Sequence, residues 1–144
     1  MHDAGLHNQG LIHTDLKPEN IVFLHPLPYS RQEENSPRGR HNRHRSVSLS
    51  DVATSTEIRL IDFGNSTYQE SYHSRIVGTR HYRAPEVLLN LEWSFASDLW
   101  AVGCILMEAY TGHVLFAPKS DFEHLGMLET AIGRIPTRMG QAAW

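Results

Sequence analysis

The sequence predicts an α+β fold whose core comes mostly from helices. Two short β-branched runs, Asn20-Ile21-Val22-Phe23-Leu24 and Ile58-Arg59-Leu60-Ile61, read as strands. A stretch over 97–110 is apolar around most of its circumference, and a second over 121–132 carries apolar residues at helical spacing. With 144 residues the chain has the length of one ordinary domain. Hydrophobic residues make up 40% and charged residues 20%, enough to bury a core, which excludes disorder of the whole chain.

The polar stretch between the two strands, about 25–57, is rich in Pro, Ser, Arg, His and Asn. It includes Arg38-Gly39-Arg40-His41-Asn42-Arg43-His44-Arg45, which contains no acid. Such a segment cannot bury enough surface to offset its ordering entropy, so a mobile insert is expected there, either a solvated loop without a role or a nucleic-acid patch, a localisation patch or a phosphorylation target. A hairpin with an overgrown tip is the simplest arrangement of the flanking strands. Residues 62–83 lack helical periodicity and read as an extended loop. The helix over 97–110 is expected to be capped by Ser97, favoured by Asp98 at its positive end, and stopped by Gly112. Leu99, Val102, Cys104, Ile105 and Leu106 surround it, which predicts burial on all sides. In the helix over 121–132, Phe122, Leu125, Leu128 and Ile132 form one face and Gly133 is the stop.

Charge and special residues narrow the class. Thirteen Lys+Arg against 16 Asp+Glu leave a net charge of −3, unlike a nucleic-acid-coating protein, so no direct nucleic-acid partner is expected. The single Cys104 cannot form an internal disulfide and fits a reducing compartment. The longest apolar run, 99–107, is about half of a membrane span, and no signal-peptide stretch opens the chain. Most of the ten histidines read as surface or loop residues, and no transition-metal site is expected.

The chemistry sits at the strand ends. His13-Thr14-Asp15-Leu16-Lys17-Pro18-Glu19-Asn20 precedes the first strand, and Asp62-Phe63-Gly64 follows the second. Pairing those strands gathers oxygen donors and one ammonium at a single mouth. A hard cation such as Mg²⁺ takes oxygen ligands together with substrate phosphates, and the Asn20 amide and Asp62 carboxylate would suit it. Asp15 would then accept a proton from a hydroxyl, while Lys17 would neutralise phosphate charge. Phosphoryl transfer asks for little beyond such positioning and neutralisation.

These motifs, closed by Ala84-Pro85-Glu86 and followed by Asp98-Leu99-Trp100 and Gly103, resemble those of protein kinases: H-x-D-L-x-x-x-N, D-F-G and A-P-E. His13-Thr14-Asp15 is similar to the LAMMER (Cdc-like, dual-specificity) and SR-protein kinases. Thr79-Arg80-His81-Tyr82-Arg83-Ala84-Pro85-Glu86-Val87 resembles the wider group that includes cyclin-dependent and mitogen-activated kinases. Glu123-His124-Leu125-Gly126-Met127-Leu128-Glu129-Thr130 resembles the LAMMER signature E-H-L-A-M-M-E-R, departing at Gly126, Leu128 and Thr130. Ile135-Pro136-Thr137-Arg138-Met139 is similar to the same group.

The resemblance implies roles. Asp15 would be the catalytic base, Lys17 the phosphate-contacting lysine, and Asn20 and Asp62 the Mg²⁺ ligands for bound ATP. Thr79 would line the site that receives the substrate hydroxyl. Asp98 would brace the catalytic loop, and Glu86 would meet an arginine near the domain's C-terminus. Because Thr14 replaces the arginine that many kinases use to hold a phosphorylated activation loop, control through that contact is not expected. The implied divisions are a catalytic loop (13–20), the insert, an activation segment (62–86), a buried helix (about 97–111) and a LAMMER-like helix (about 121–132).

The implied function is ATP-dependent phosphorylation of Ser/Thr, and of Tyr, on protein partners of the Arg/Ser-rich splicing type, in the nucleus or cytoplasm. A complete kinase adds a Gly-rich loop, a strand lysine and its glutamate, which belong upstream of His13. The expectation is therefore a truncated, mainly helical large (C-terminal) lobe with the small lobe absent, not competent by itself. Two alternatives stand beside it. One is a catalytically inactive product acting only by protein binding. The other is a Mg²⁺-dependent phosphohydrolase using Asp15 and Asp62, which lacks the second acidic pair of a two-metal site.

Overall fold

A computed structural model describes residues 3–24, 57–72 and 74–143. The basic run 38–45 and the expected mobile insert fall outside these residues, apart from Glu57. The chain divides into two compact units, Ile21–Ile61 on the one hand, and Met1–Asn20 with Asp62–Trp144 on the other.

In the smaller unit, β-branched side chains that suit a pleated backbone form a two-stranded antiparallel ladder. Strand β2 (Ile21–Phe23) pairs with β3 (Ile58–Leu60) in the register Ile21↔Leu60, Val22↔Arg59, Phe23↔Ile58. The Leu24 N–H extends it by donating to the Glu57 carbonyl at 3.0 Å. The hairpin predicted from sequence is therefore present, with β2 one residue shorter at each end and β3 one residue shorter at its C-terminal end.

The larger unit opens with α1 (Asp3–His7), and Gly10 at φ +76 turns the chain into β1 (Leu11–Ile12). Strand β1 pairs antiparallel with β4 (Thr67–Tyr68), and the Gln69 N–H donates to the Gly10 carbonyl. The expected loop over 62–83 is thus not fully irregular. It holds β4 and two single 3₁₀ turns, Phe63–Asn65 and Arg80–Tyr82. Helix α2 (Pro85–Leu88) starts with proline at its first position, where no N–H is required.

Helix α3 (Phe95–Thr111) begins two residues before the predicted start. Ser94, not Ser97, is its cap, accepting from the Ala96 N–H, while the Ser97 hydroxyl donates to the Ser94 carbonyl at 2.7 Å. Gly112 ends it in the left-handed conformation, φ 75. Burial all round, as its composition predicted, does not hold among the described residues. Ser97, Asp98, Ala101 and Cys104 form the buried stripe, whereas Leu99 is 58% and Leu106 65% exposed. The stripe follows the i, i+3, i+7 geometry of one helix face, and only that face meets packing partners.

Helix α4 (Asp121–Ile132) has the predicted bounds, a Ser120 cap and Gly133 after its end. Its inner face differs from the prediction. His124 and Leu128 are buried, while Phe122 is 88% and Ile132 62% exposed. A short α5 (Thr137–Ala142) follows. The core joins Ile12, Ala84, Val87 and Trp93, with Val77, Phe95 and Trp100 packed against it. It is less helical than expected, because Ala84, Trp93 and Val77 lie on connecting segments. The Trp93 indole N–H closes this layer on the Ser74 carbonyl at 2.9 Å.

Candidate active site

The segment after β1 is held from below by α3. Asp98, in the first turn of α3 and 2% exposed, accepts the His13 N–H on Oδ2 at 2.8 Å and the Thr14 N–H on Oδ1 at 2.9 Å. His7 Nε2 lies 3.1 Å from the same Oδ2. A carboxylate at a helix N-terminus also meets the positive end of the helix dipole. These bonds fix an unusual backbone: Thr14 sits at φ 71, where β-branched residues rarely go. Thr14 Oγ1 donates to the Asn65 carbonyl, and Ser66 Oγ donates to the His13 carbonyl, so the 63–66 turn is tied to this loop. The His13 ring packs edge-on against Phe63, with centroids 4.9 Å apart, and its Nδ1 accepts the Asp15 N–H.

The turn aims Asp15 at the start of the second half of the chain. Asp15 Oδ1 accepts from Thr79 Oγ1 at 2.7 Å and from the Thr79 N–H at 2.9 Å. Oδ2 accepts from Lys17 Nζ at 3.1 Å, and Lys17 also reaches Thr79 Oγ1 at 3.4 Å. Partial burial pushes the Asp15 carboxyl upward, but the hydrogen bonds from Thr79 and Lys17 outweigh it. The net result lies below the ordinary carboxylate value. Lys17 is held protonated, first by its bond to Asp15 and further by the fields of Glu19 and Asp62. Gly78 makes the approach of 77–79 feasible. It sits at φ +75, and a Cβ there would lie 2.9 Å from the Thr14 carbonyl oxygen.

The remaining candidates are placed as follows. Asn20, 4% exposed at the end of the Pro18–Asn20 turn, donates from Nδ2 to the Asp15 carbonyl at 2.9 Å, and among the described residues its Oδ1 accepts no hydrogen bond. Asp62 is exposed at φ 66 just before the 63–65 turn, and its carboxylate takes no hydrogen bond among the described residues. One amide oxygen and one open carboxylate are hard donors of the kind a hard divalent cation takes. Glu86 lies in the first turn of α2 and makes no side-chain hydrogen bond among the described residues. A cavity of about 610 Å³ opens beside Asp15, lined in part by Thr14, Val77, Thr79, Arg83 and Trp93.

Several contacts of this region have no counterpart in the sequence reading. His7 reaches Asp98 across 91 residues of chain. Tyr82 Oη donates to Glu108 Oε2 at 2.6 Å, and burial followed by that bond pushes the phenol well above its ordinary pKa. The Arg83 guanidinium donates to the Val77 carbonyl at 3.2 Å and the Gly78 carbonyl at 2.9 Å. Of the five described histidines His113 is exposed, while His13 and His124 are fully buried.

Comparison with known proteins agrees with this arrangement. Residues 4–141 match the protein kinase domain family. The chain is 46% identical over 136 residues to the dual specificity protein kinase lkh1 of Schizosaccharomyces pombe, covering 94% of this chain and 18% of that protein. It is 44% identical over 137 residues to the human dual specificity protein kinase CLK2, covering 93% of this chain and 25% of that one. A crystal structure of a kinase domain superposes with a TM-score of 0.76 at 43% identity, covering 96% of this chain and 39% of the other. The chain thus spans well under half the length of the proteins it matches. It belongs to the protein kinase family and resembles the dual-specificity, LAMMER-type members.

Proposed function

We infer that this chain supplies the acceptor and metal-binding half of a site that transfers the γ-phosphoryl group of ATP to a Ser, Thr or Tyr hydroxyl of a protein substrate. The observation that carries this reading is the convergence of Lys17 Nζ and both Thr79 donors on the Asp15 carboxylate. In the transfer, a bond forms between the substrate oxygen and the γ-phosphorus, and the bond from that phosphorus to the β–γ bridging oxygen breaks. The hydroxyl proton passes to Asp15. A carboxylate below its ordinary pKa is a weak proton acceptor, so its first task is to orient the hydroxyl. A loose transition state spreads charge over the phosphoryl oxygens and suits that division of labour. Lys17, held cationic, neutralises the transferring group. Asn20 and Asp62 would hold Mg²⁺, which would neutralise charge on the nucleotide phosphates. Asp98 fixes the loop that carries Asp15.

The substrate class follows from the family resemblance: Arg/Ser-rich proteins of the splicing machinery, met in the nucleus or cytoplasm. No helix among the described residues is long and apolar enough to cross a membrane. The test grafts residues 4–141 into human CLK2 in place of its matching segment and measures phosphate incorporation into an Arg/Ser-rich peptide and an acidic Arg-free one. Transfer with preference for the Arg/Ser-rich peptide is expected. A folded graft that transfers nothing overturns the proposed activity, and a preference for the acidic peptide overturns the substrate class.

A further inference from the structure

The backbone just before Thr79 is itself held by side-chain contacts. Arg83 donates to the carbonyls of Val77 and Gly78, the two residues that precede Thr79. Arg83 Nη1 in turn lies 3.6 Å from Asp121 Oδ1, and Arg80 Nη1 lies 3.3 Å from the same oxygen. Arg80 also donates to the Lys119 carbonyl, just before α4. Asp121 Oδ1 is buried and forms no aligned hydrogen bond, so its hold on the two guanidinium groups is Coulombic.

Among the described residues, no second carboxylate pairs with Arg80 or Arg83. His124, one turn along α4, is fully buried, and burial followed by the field of Arg83 lowers its pKa. Glu123, in the same first turn, is engaged elsewhere, accepting the Lys119 N–H on Oε2 at 2.6 Å. Two cations and one carboxylate therefore meet where α4 joins the 77–83 segment.

We propose that Asp121 is a positioning residue for the acceptor site: by anchoring Arg83, and with it Arg80, it fixes the Val77–Gly78 backbone that presents Thr79 to Asp15. The proposal rests on the reading of Asp15 as the proton acceptor, yet it is tested without any kinase assay. The order of 77–79 thereby depends on α4 being docked.

The experiment is site-resolved amide hydrogen exchange on residues 1–144, reading the Thr79 N–H that donates to Asp15 Oδ1. Asp121→Asn keeps the shape and removes the charge. An ion pair of this exposure is worth about a two- to fivefold change, so Thr79 exchange is expected to quicken by that factor. Glu123→Gln removes a carboxylate from the same helix turn and is expected to leave Thr79 unchanged, while Asp121→Glu is expected to restore slow exchange. Equal Thr79 exchange in Asp121→Asn and Glu123→Gln overturns the proposal. Should Asp121→Asn loosen α3 as well, the ratio of Thr79 to Ala101 exchange decides. A raised ratio supports the anchor, and an unchanged one overturns it. Loss of phosphoryl transfer on Asp15→Asn in the CLK2 graft is a separate result, so failure of either reading is seen by itself.

Discussion

Replacing Asp98 with asparagine leaves the side chain's shape nearly unchanged and removes one acceptor. In the parent, Oδ1 serves the Thr14 N–H and Oδ2 serves the His13 N–H and His7. Asparagine has a single oxygen, so in either orientation one of the two backbone N–H groups faces an NH₂ group. A buried donor left without an acceptor costs about 1–3 kcal/mol. The surviving bond loses its charge assistance, which adds about 0.5–1.5 kcal/mol. Thr14 at φ 71 stores a further strain of roughly 1–2 kcal/mol that the lost bond was restraining, so relaxation will start there. The expected loss is about 2–4 kcal/mol, a large share of the 5–15 kcal/mol typical of a domain. Urea unfolding followed by the fluorescence of Trp93 and Trp100 measures it, with amide exchange at His13 and Thr14 as the local reporter. A change below about 0.5 kcal/mol with unaltered m-value would refute the idea that this carboxylate holds the loop.

Gly78→Ala should destabilise by about 1–2 kcal/mol and speed Thr79 amide exchange, because its Cβ would meet the Thr14 oxygen at 2.9 Å from a φ of +75. A thermal unfolding midpoint equal to the parent's would contradict this. His124 has its folded-state pKa below the ordinary 6.5, from burial first and Arg83 second. The unfolded chain therefore binds the proton more readily, so this part of the stability is full above about pH 6.5 and is lost as the pH falls below it. His124→Phe should flatten the decline between pH 7.5 and 5.5, which is limited to about 1.4 kcal/mol per pH unit for one proton. Parallel curves would exclude the histidine. Residues 1–144 by themselves are expected to incorporate no phosphate beyond an Asp62→Ala control. Their only lysines are Lys17, engaged at Asp15, and Lys119, so none is left to anchor a nucleotide in the family's manner, and misplacement by about 1 Å costs on the order of 100-fold. Incorporation above that control would make the chain a minimal kinase.

Local signals in this sequence translate well into local structure. The β-branched runs form the β2–β3 hairpin, and Gly133 stands after the end of α4 as predicted. What depends on a distant partner does not read out. Ser94 rather than Ser97 caps α3, because Ser97 and Asp98 are turned inward, Asp98 onto His13 and Thr14, a fact that no local pattern carries. Likewise the apolar residues of α3 and α4 announce helices but not which face is buried, since His124 goes inside and Phe122 outside. In the site, the spacing of Asp15, Lys17 and Asn20 is visible as a motif. The meeting of Asp15 with Thr79 across 64 residues, and of Arg83 with Asp121, emerges only from the fold.

The central claim is that Asp15 orients and deprotonates the acceptor hydroxyl. The most direct measurement is the steady-state rate of the CLK2 graft with an Arg/Ser-rich peptide, for the parent and for Asp15→Asn, with kcat and the KM for ATP read separately. Asparagine keeps the volume and can still meet Thr79 but cannot take the proton. For Asp15→Asn, kcat is expected to fall about 100- to 10,000-fold with the KM for ATP nearly unchanged. A kcat within about threefold of the parent would contradict it.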